Sequence, residues 1–452
     1  MRNYDVVIVG AGPGGCMAAK VLSENGFRVA LLERKEGITN ITRACATMMA
    51  IENEWYINDR MYLNEKNKKI VFPKACFSVD YDGPYSPFYT WNLFSPDGKC
   101  TVHLGNYTQR KSQGKRLSVT YSKQRLLEML LADARGNGCD IFAGTNVTDV
   151  QRMPGGIQVH SAEGNTFAGT FVIAADGVNS HIAKITGLNK KRNYYGLNAG
   201  MGIYFNNFDM PFPDAFNWMA FYHHKNGLPM AMTILPCPYP DAEFWLWGSY
   251  TSCPPHEGPS ILDEVMYLWK NCPYAHWFNN SEVVRYNCHI LSMWSPAPEP
   301  FIDNVIFVGD SAWTAEAECT GSMMCGHKAA HAITLAFREN KLNRDGVESY
   351  LTWWKETFPD FHDYKDFLGL FAMFEVMEED DINYLFSLLE GENLEPTLNP
   401  YRAGKIMNGV VMSKIGQIEK ENPTFMAKLQ KLATSPVELF FRDSARKSFP
   451  ND

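Results

Sequence analysis

Residues 4–33 read YDVVIVGAGPGGCMAAKVLSENGFRVALLE, and the order of textures in this stretch decides how the chain folds. Residues 4–9 are an almost unbroken β-branched run, the pattern of a strand buried on both faces of a parallel sheet. Gly10, Gly12 and Gly15 then match GxGxxG, with Pro13 and Gly14 between them, and a helix is predicted over 16–25 before Gly26 and a second strand over 28–33. Gly10 permits the tight turn, Gly12 lets the backbone approach a diphosphate, and Gly15 lets helix and strand pack closely. The diphosphate is expected at the helix N-terminus, where free N–H groups and the helix dipole favour anions. Glu33 closes the second strand, where its carboxylate can accept from a ribose hydroxyl and would repel a 2′-phosphate. Strand, glycine turn, helix, strand and acid stand in register, so a dinucleotide binds here.

Working outward, 452 residues exceed what one core serves, and two subdomains with an appendage are expected. The formal net charge of -8 offers no positive field to gather nucleic acid, which is excluded as a partner. The 11 cysteines contain no CxxC pair and no zinc or iron–sulfur spacing, so they read as reduced thiols and no metal is expected. No apolar run reaches spanning length and no signal peptide is legible, so the expected location is cytoplasmic. A peripheral membrane contact is suggested by Val437, Leu439, Phe440 and Phe441 ahead of Arg442, Arg446 and Lys447, although core packing explains that helix too.

A helix is predicted over 122–137, where Leu126, Leu127, Leu130 and Leu131 recur at helical spacing and Gly138 stops it. Short strands are expected at 140–142, 156–160 and 170–174. From 191 to 287 the texture changes to aromatic-rich strands broken by Pro and Gly, an inserted antiparallel sheet. The strand predicted at 305–308 returns to the first domain, which therefore comprises 1–190 and 288–345 with a β-rich excursion near 60–115. Residues 346–452 read as a helical region, with Ile382, Leu385, Phe386 and Leu389 at helical spacing behind the acidic run 378–381.

Two further motifs carry a resemblance. VIAADGVNS at 172–180 and FVGD at 307–310, taken with GxGxxG, resemble the flavoprotein superfamily of the para-hydroxybenzoate hydroxylase type. The resemblance covers residues 1 to about 340 and implies the α/β fold class: a Rossmann-type FAD-binding domain, an inserted antiparallel substrate sheet and a C-terminal helical region. It implies FAD, with Asp310 on the ribityl chain and Asp176 and Gly177 near the diphosphate. It further implies cofactor contacts from Arg34, Arg43, Arg125 and Val147. Beyond Asp310 the chain reads SAWTAEAECTGSMMCGHKAAHA, where the backbone of Thr320, Gly321, Ser322 and Met323 is expected against the flavin pyrimidine edge. The usual proline before these glycines is missing and the loop is one residue longer. Within the superfamily the chain looks like the geranylgeranyl reductase-like subgroup, through RACAT at 43–47 and EEDDINYLFSLLEG at 378–391. It departs from that subgroup at Ala231 and Thr233, ahead of Leu235 and Pro236, where large aromatics are expected.

In a flavin reductase the hydride comes from N5, so the protein holds the substrate and supplies a proton. Cys45 is the candidate donor and Arg43 could steady its thiolate or an anionic substrate; the alternative is a buried thiol that only packs. Trp313, Met48, Met49, Met230 and Trp245 are candidates for the pocket of a hydrophobic small-molecule substrate, with core filling as the competing account. Cys319 and Cys325 invite a redox-pair reading, but plain packing is favoured. His327 and His331 have metal-compatible spacing without a third ligand. The leading function is FAD-dependent reduction of carbon–carbon double bonds; the rivals are an aromatic monooxygenase and, in another class, an electron-transfer flavoprotein. A halogenase is disfavoured because Gly248 and Ser249 follow Trp245, Leu246 and Trp247, breaking the WxWxIP signature. No second GxGxxG exists, so electrons are expected from transient NAD(P)H or from a ferredoxin- or flavodoxin-type donor.

Overall fold

The computed structural model describes residues 2–49, 52, 54, 55, 58–222, 224, 229–250, 260–313, 318–358, 372–374, 376–436, 439 and 440. The β-branched strand Val6–Val9 lies near the middle of a six-stranded sheet, fully buried as its composition demands. Its neighbours are Val29–Leu32 on one side and Phe171–Ala174 on the other, both parallel. Asp140–Phe142 adds beyond the first, and Val305–Phe307 beyond the second. The antiparallel pair-mate Phe301–Ile302 closes that edge. Glycine loop, Glu33, Asp176 and Asp310 therefore all follow carboxyl ends of these strands, on the edge where open α/β sheets hold ligands.

Helices cover this sheet. Pro13–Glu24 packs against Glu318–Arg338 at a contact made by two glycines: a Cβ on Gly326 would run into the Gly14 carbonyl. The leucine-patterned helix is Lys123–Gly136, capped by Ser122 Oγ accepting from the Arg125 N–H at 3.1 Å, and it buries Leu126, Leu127, Leu130 and Leu131. The helix Glu348–Thr357 is tied to the sheet by Tyr350 Oη donating to the Phe307 carbonyl at 2.7 Å and by Trp354 Nε1 donating to the Ala297 carbonyl at 2.8 Å.

The aromatic-rich strands form a seven-stranded sheet, and two of its strands come from outside the expected insert. Trp91–Phe94 pairs in parallel with Phe216–Tyr222, and Thr101–Leu104 adds beyond it. Part of the excursion near 60–115 thus belongs to this second sheet. At the opposite edge Glu282–Trp294 runs past the predicted boundary at 287, paired along its length with Tyr194–Asn206. The pairing overrides the boundary because stopping at 287 would strand the ladder groups of a long partner strand. One face of this sheet packs on the helix Ile261–Asn271 through Met201, Phe205, Met232, Leu246, Val265 and Trp269. The other face is not filled by protein over its middle. The helices Glu379–Leu389, Pro400–Ser413 and Pro423–Thr434 pack on the far edge of the sheet, where Ile382, Phe386, Val411 and Phe425 meet Leu93, Val102 and Leu104.

Candidate active site

The glycine loop divides into structural and ligand-facing positions. Gly10 has φ +101°, and a Cβ there would strike the Ala175 carbonyl; a Cβ on Gly15 would strike the Gly10 carbonyl. Gly12 differs: its backbone suits any residue and nothing lies within 4 Å of a Cβ placed on it. It is the N-cap of Pro13–Glu24, with Pro13 at the first helical position and no acidic side chain in the first turn. The space beside Gly12 and the free N–H groups of that turn fit an anionic diphosphate. Glu33, 7% exposed, accepts from the Ala11 N–H at 2.9 Å and the Lys35 N–H at 3.0 Å, which fixes its carboxylate at the strand end.

Asp310 and Asp176 do different work. Asp310 borders the cavity, and its buried Oδ1 has no hydrogen-bond partner. Burial holds its carboxyl above the usual range, against the pull of Arg43 and Lys123. A buried acceptor left unpaired at a strand end is what a ribityl hydroxyl would satisfy. Asp176 instead accepts from Ser180 Oγ at 2.6 Å and from the Ile182 N–H at 3.1 Å, so it shapes the turn from which Gly177 borders the cavity. Thr320, Gly321, Ser322 and Met323 lie in the first turns of Glu318–Arg338; Ser322 faces the cavity and Met323 is core. These groups fit FAD.

Several predicted contacts fall elsewhere. Arg125 is engaged by Asp82 through two hydrogen bonds of 2.7 and 3.0 Å and by Glu128 at 3.2 Å, away from the cavity. On this helix the cation that borders the cavity is Lys123, two residues earlier. The signal was present: Lys123 precedes Leu126, Leu127 and Leu130 by three, four and seven residues and so shares their buried face, whereas Arg125 and Glu128 share the outer one. Arg34 is exposed, and Val147 packs in the core of the first domain. Trp313 is 1% exposed against Phe358 at 5.0 Å and Met49 is fully buried, so both are core residues rather than pocket walls. Met230 borders the cavity edge but packs on the opposite face of the sheet, while Met48 and Trp245 face inward. His327 stacks on Phe77 at 4.1 Å, and no cluster suited to a metal occurs among the described residues. Of the C-terminal amphipathic end only Leu439 and Phe440 are described; its other named residues lie outside the described residues.

The unfilled face of the second sheet makes one cavity of about 840 Å³. Its floor is a set of side-chain rows that the strand register fixes: Asn287, Gly202, Trp247, Thr233 and Trp218 form one, and His289, Gly200, Ser249 and Ala231 the next. Gly200 and Gly202 lie beneath His289, Trp247, Asn287 and Trp245, whose side chains a Cβ would displace. His289 Nε2 meets Asn198 Oδ1 at 3.0 Å. Thr233, small in place of an aromatic, stands between Trp247 and Trp218, so the aromatic wall comes from the flanking strands. Arg43, Lys123 and Asp310 border the end near the glycine loop; the far end is closed by Met377, Phe386, Leu389, Met407, Val411 and Leu432. Sequence reading missed this end because helical periodicity marks a buried face without saying what it is buried against.

Cys45 lies on the wall between the two ends, and its partner is unexpected. Cys319, not Cys325, stands beside it in hydrogen-bonding contact, and Lys123 Nζ approaches Cys45 Sγ at 3.7 Å. The Cys319 S–H donates to Cys45 and, with Lys123 nearby, holds the Cys45 thiol well below its ordinary value in spite of burial. Cys319 is pushed the other way by the same bond. Cys325 is fully buried in the core.

A parallel sheet with a glycine-loop diphosphate site, an orphaned acid over a second strand end and an apolar cavity beside them defines an FAD-dependent oxidoreductase. The chain belongs to the FAD binding domain family, whose model matches residues 3–252. Its relatives include digeranylgeranylglycerophospholipid reductase of Methanococcus vannielii, 25% identical over 375 residues that cover 78% of this chain and 83% of that one. A geranylgeranyl bacteriochlorophyll reductase-like protein of Thermoplasma acidophilum has the same fold, with a TM-score of 0.70 at 16% identity over 96% of this chain and all of that one. A mutant of halogenase PltM, solved with FAD, follows at 0.61 and 12% identity, over 99% of this chain and 93% of that one.

Proposed function

We propose that this protein reduces carbon–carbon double bonds in a long hydrophobic, isoprenoid-like substrate. The observation that carries this reading is the polarity gradient of the cavity: Arg43, Lys123 and Asp310 border its cofactor end, and the remainder, apart from the uncharged polar groups of Asn198, Thr233, Ser249, His289 and Asn408, is apolar as far as the C-terminal helices. An alkyl chain gains roughly 0.8 kcal/mol per methylene buried in such a space, which is enough to hold it without polar anchors. Bound FAD, once reduced, supplies a hydride from N5. The chain's own part is to hold the alkene against that position, exclude water with the tryptophan wall, and place the Cys45 thiol where a proton is needed. The first sheet then serves as the cofactor domain, the second as the substrate domain, and the C-terminal helices as the end of the substrate channel. Electrons are proposed to arrive from NAD(P)H binding transiently or from a ferredoxin- or flavodoxin-type protein. Substrate delivery from a bilayer surface fits a chain in which no described helix is long and apolar enough to cross a membrane.

The test is anaerobic. The FAD-loaded protein is reduced with dithionite and its flavin absorbance followed on adding geranylgeraniol or on admitting air. Stoichiometric reoxidation by the alkene with slow oxidation in air is expected. Fast oxidation in air through a transient absorbance of a C4a-hydroperoxide would favour the aromatic monooxygenase instead, a reading supported by the four tryptophans Trp91, Trp218, Trp245 and Trp247 around the cavity.

A further inference from the structure

Lys123, Cys45 and Cys319 come from three distant segments and meet on one stretch of the cavity wall. The lysine is the informative member. It opens the first turn of Lys123–Gly136, and its hydrogen-bond partner among the described residues is a thiol sulfur, 3.7 Å away. A buried ammonium without a paired anion is costly, and in the usual case a carboxylate supplies one. Here burial works against the charge on Lys123, and a Cys45 thiolate together with Asp310 offsets that, so the ammonium persists. The counter-charge that suits this geometry is a thiolate.

We propose that Lys123 is the positioning residue of the proton donor: it holds Cys45 as a thiolate at rest, beside the Cys319 S–H, and replaces each proton that Cys45 passes to the substrate. The proposal deepens the reductase reading and rests on it for the identity of the proton acceptor. The hydride from reduced flavin forms the first C–H bond. As charge gathers on the other alkene carbon, an N–H bond of Lys123 breaks, an S–H bond forms at Cys45 and gives way in turn to the second C–H bond. The electron pair of the broken N–H bond stays on Nζ, and Lys123 regains its proton from solvent. Two electrons move in all, both in the hydride. Cys45 regains its thiolate and Cys319 keeps its proton throughout.

The test needs no substrate. The FAD-loaded protein is treated with iodoacetamide across pH 5 to 10, and alkylation of the Cys45 peptide is read by mass spectrometry. The wild-type midpoint is expected well below the ordinary thiol value of about 8.5. In Lys123→Met and in Cys319→Ala it is expected to rise by at least about one pH unit. Lys123→Arg keeps the low midpoint, because the charge remains. It nevertheless loses at least about tenfold in alkene-driven reoxidation of the reduced flavin, because a guanidinium does not release its proton. A wild-type midpoint at the ordinary thiol value overturns the proposal, as does an unmoved midpoint in Lys123→Met. Should Lys123→Met not retain FAD, an unmoved midpoint in Cys319→Ala overturns it equally. Failure of the reductase reading looks different: a low wild-type midpoint with no reoxidation by any alkene.

Discussion

At the scale of single residues, the three glycines of one motif separate into two kinds of position, and substitution will tell them apart. Gly12→Val meets no protein atom, so it is expected to fold with an unchanged melting temperature and to purify without flavin absorbance. Gly15→Ala forces a Cβ into the Gly10 carbonyl and is expected to destabilise the fold itself by roughly 3 kcal/mol or more, read by urea unfolding. Asp310→Ala removes a carboxyl whose buried Oδ1 has no partner, so FAD is expected to be lost while the apoprotein melts no lower than wild type. His289 makes a prediction in pH. Burial and the nearby Arg43 lower its pKa from 6.5 to about 4. The unfolded chain therefore binds a proton that the fold refuses, so this contribution is fully present above the unfolded value and lost as pH falls toward the folded one. The loss is on the order of 3 kcal/mol. His327 is lowered to about 4 by burial and by His331, and adds a loss of the same sign. The melting temperature of His289→Gln, which keeps an amide donor for Asn198, is thus expected to fall less between pH 6.5 and 4 than that of wild type. An equal fall in both would remove His289 from the account.

Among elements, the strand Pro229–Pro236 sets the cavity, because Ala231 and Thr233 turn small side chains to its floor. Ala231→Phe and Thr233→Trp are expected to fill it, raising KM for a twenty-carbon chain by about tenfold or more while a shorter chain is affected less and FAD absorbance is retained. Equal effects on both chain lengths would show that the chain does not pass over this strand. The same elements show what a sequence can and cannot say. The motif-bearing strands and the leucine-faced helix were legible because period and glycine chemistry are local. Arg125 lies on the outer face of its helix, engaged by Asp82, and nearness to a motif does not say which helix face a basic residue occupies. Trp313 and Met49 stand open between pocket wall and core in the sequence, because composition alone does not distinguish the two. Cys45 was singled out on its own segment, whereas its contact with Cys319 spans most of the chain and leaves no local trace.

On the scale of the whole molecule, the first sheet gathers strands from residues 6 to 307. The glycine helix then packs on Gly326, and Gly14 lies against the Ser322 carbonyl. This arrangement has a consequence for biosynthesis. The strand Val6–Val9, apolar and buried on both faces in the finished protein, leaves the ribosome long before its neighbour Phe171–Ala174 exists, and that neighbour waits in turn for Val305–Phe307. Until then the sheet is incomplete at Phe171–Ala174, and the diphosphate loop lacks the helix against which it closes. Early binding of FAD by the growing chain is therefore not expected, and a nascent chain of this kind is exposed to aggregation for most of its translation. Stalled ribosome–nascent chain complexes would register this directly, with flavin fluorescence changing only after residue 326 has cleared the exit tunnel, so that flavin supply acts on yield as a late, all-or-nothing step.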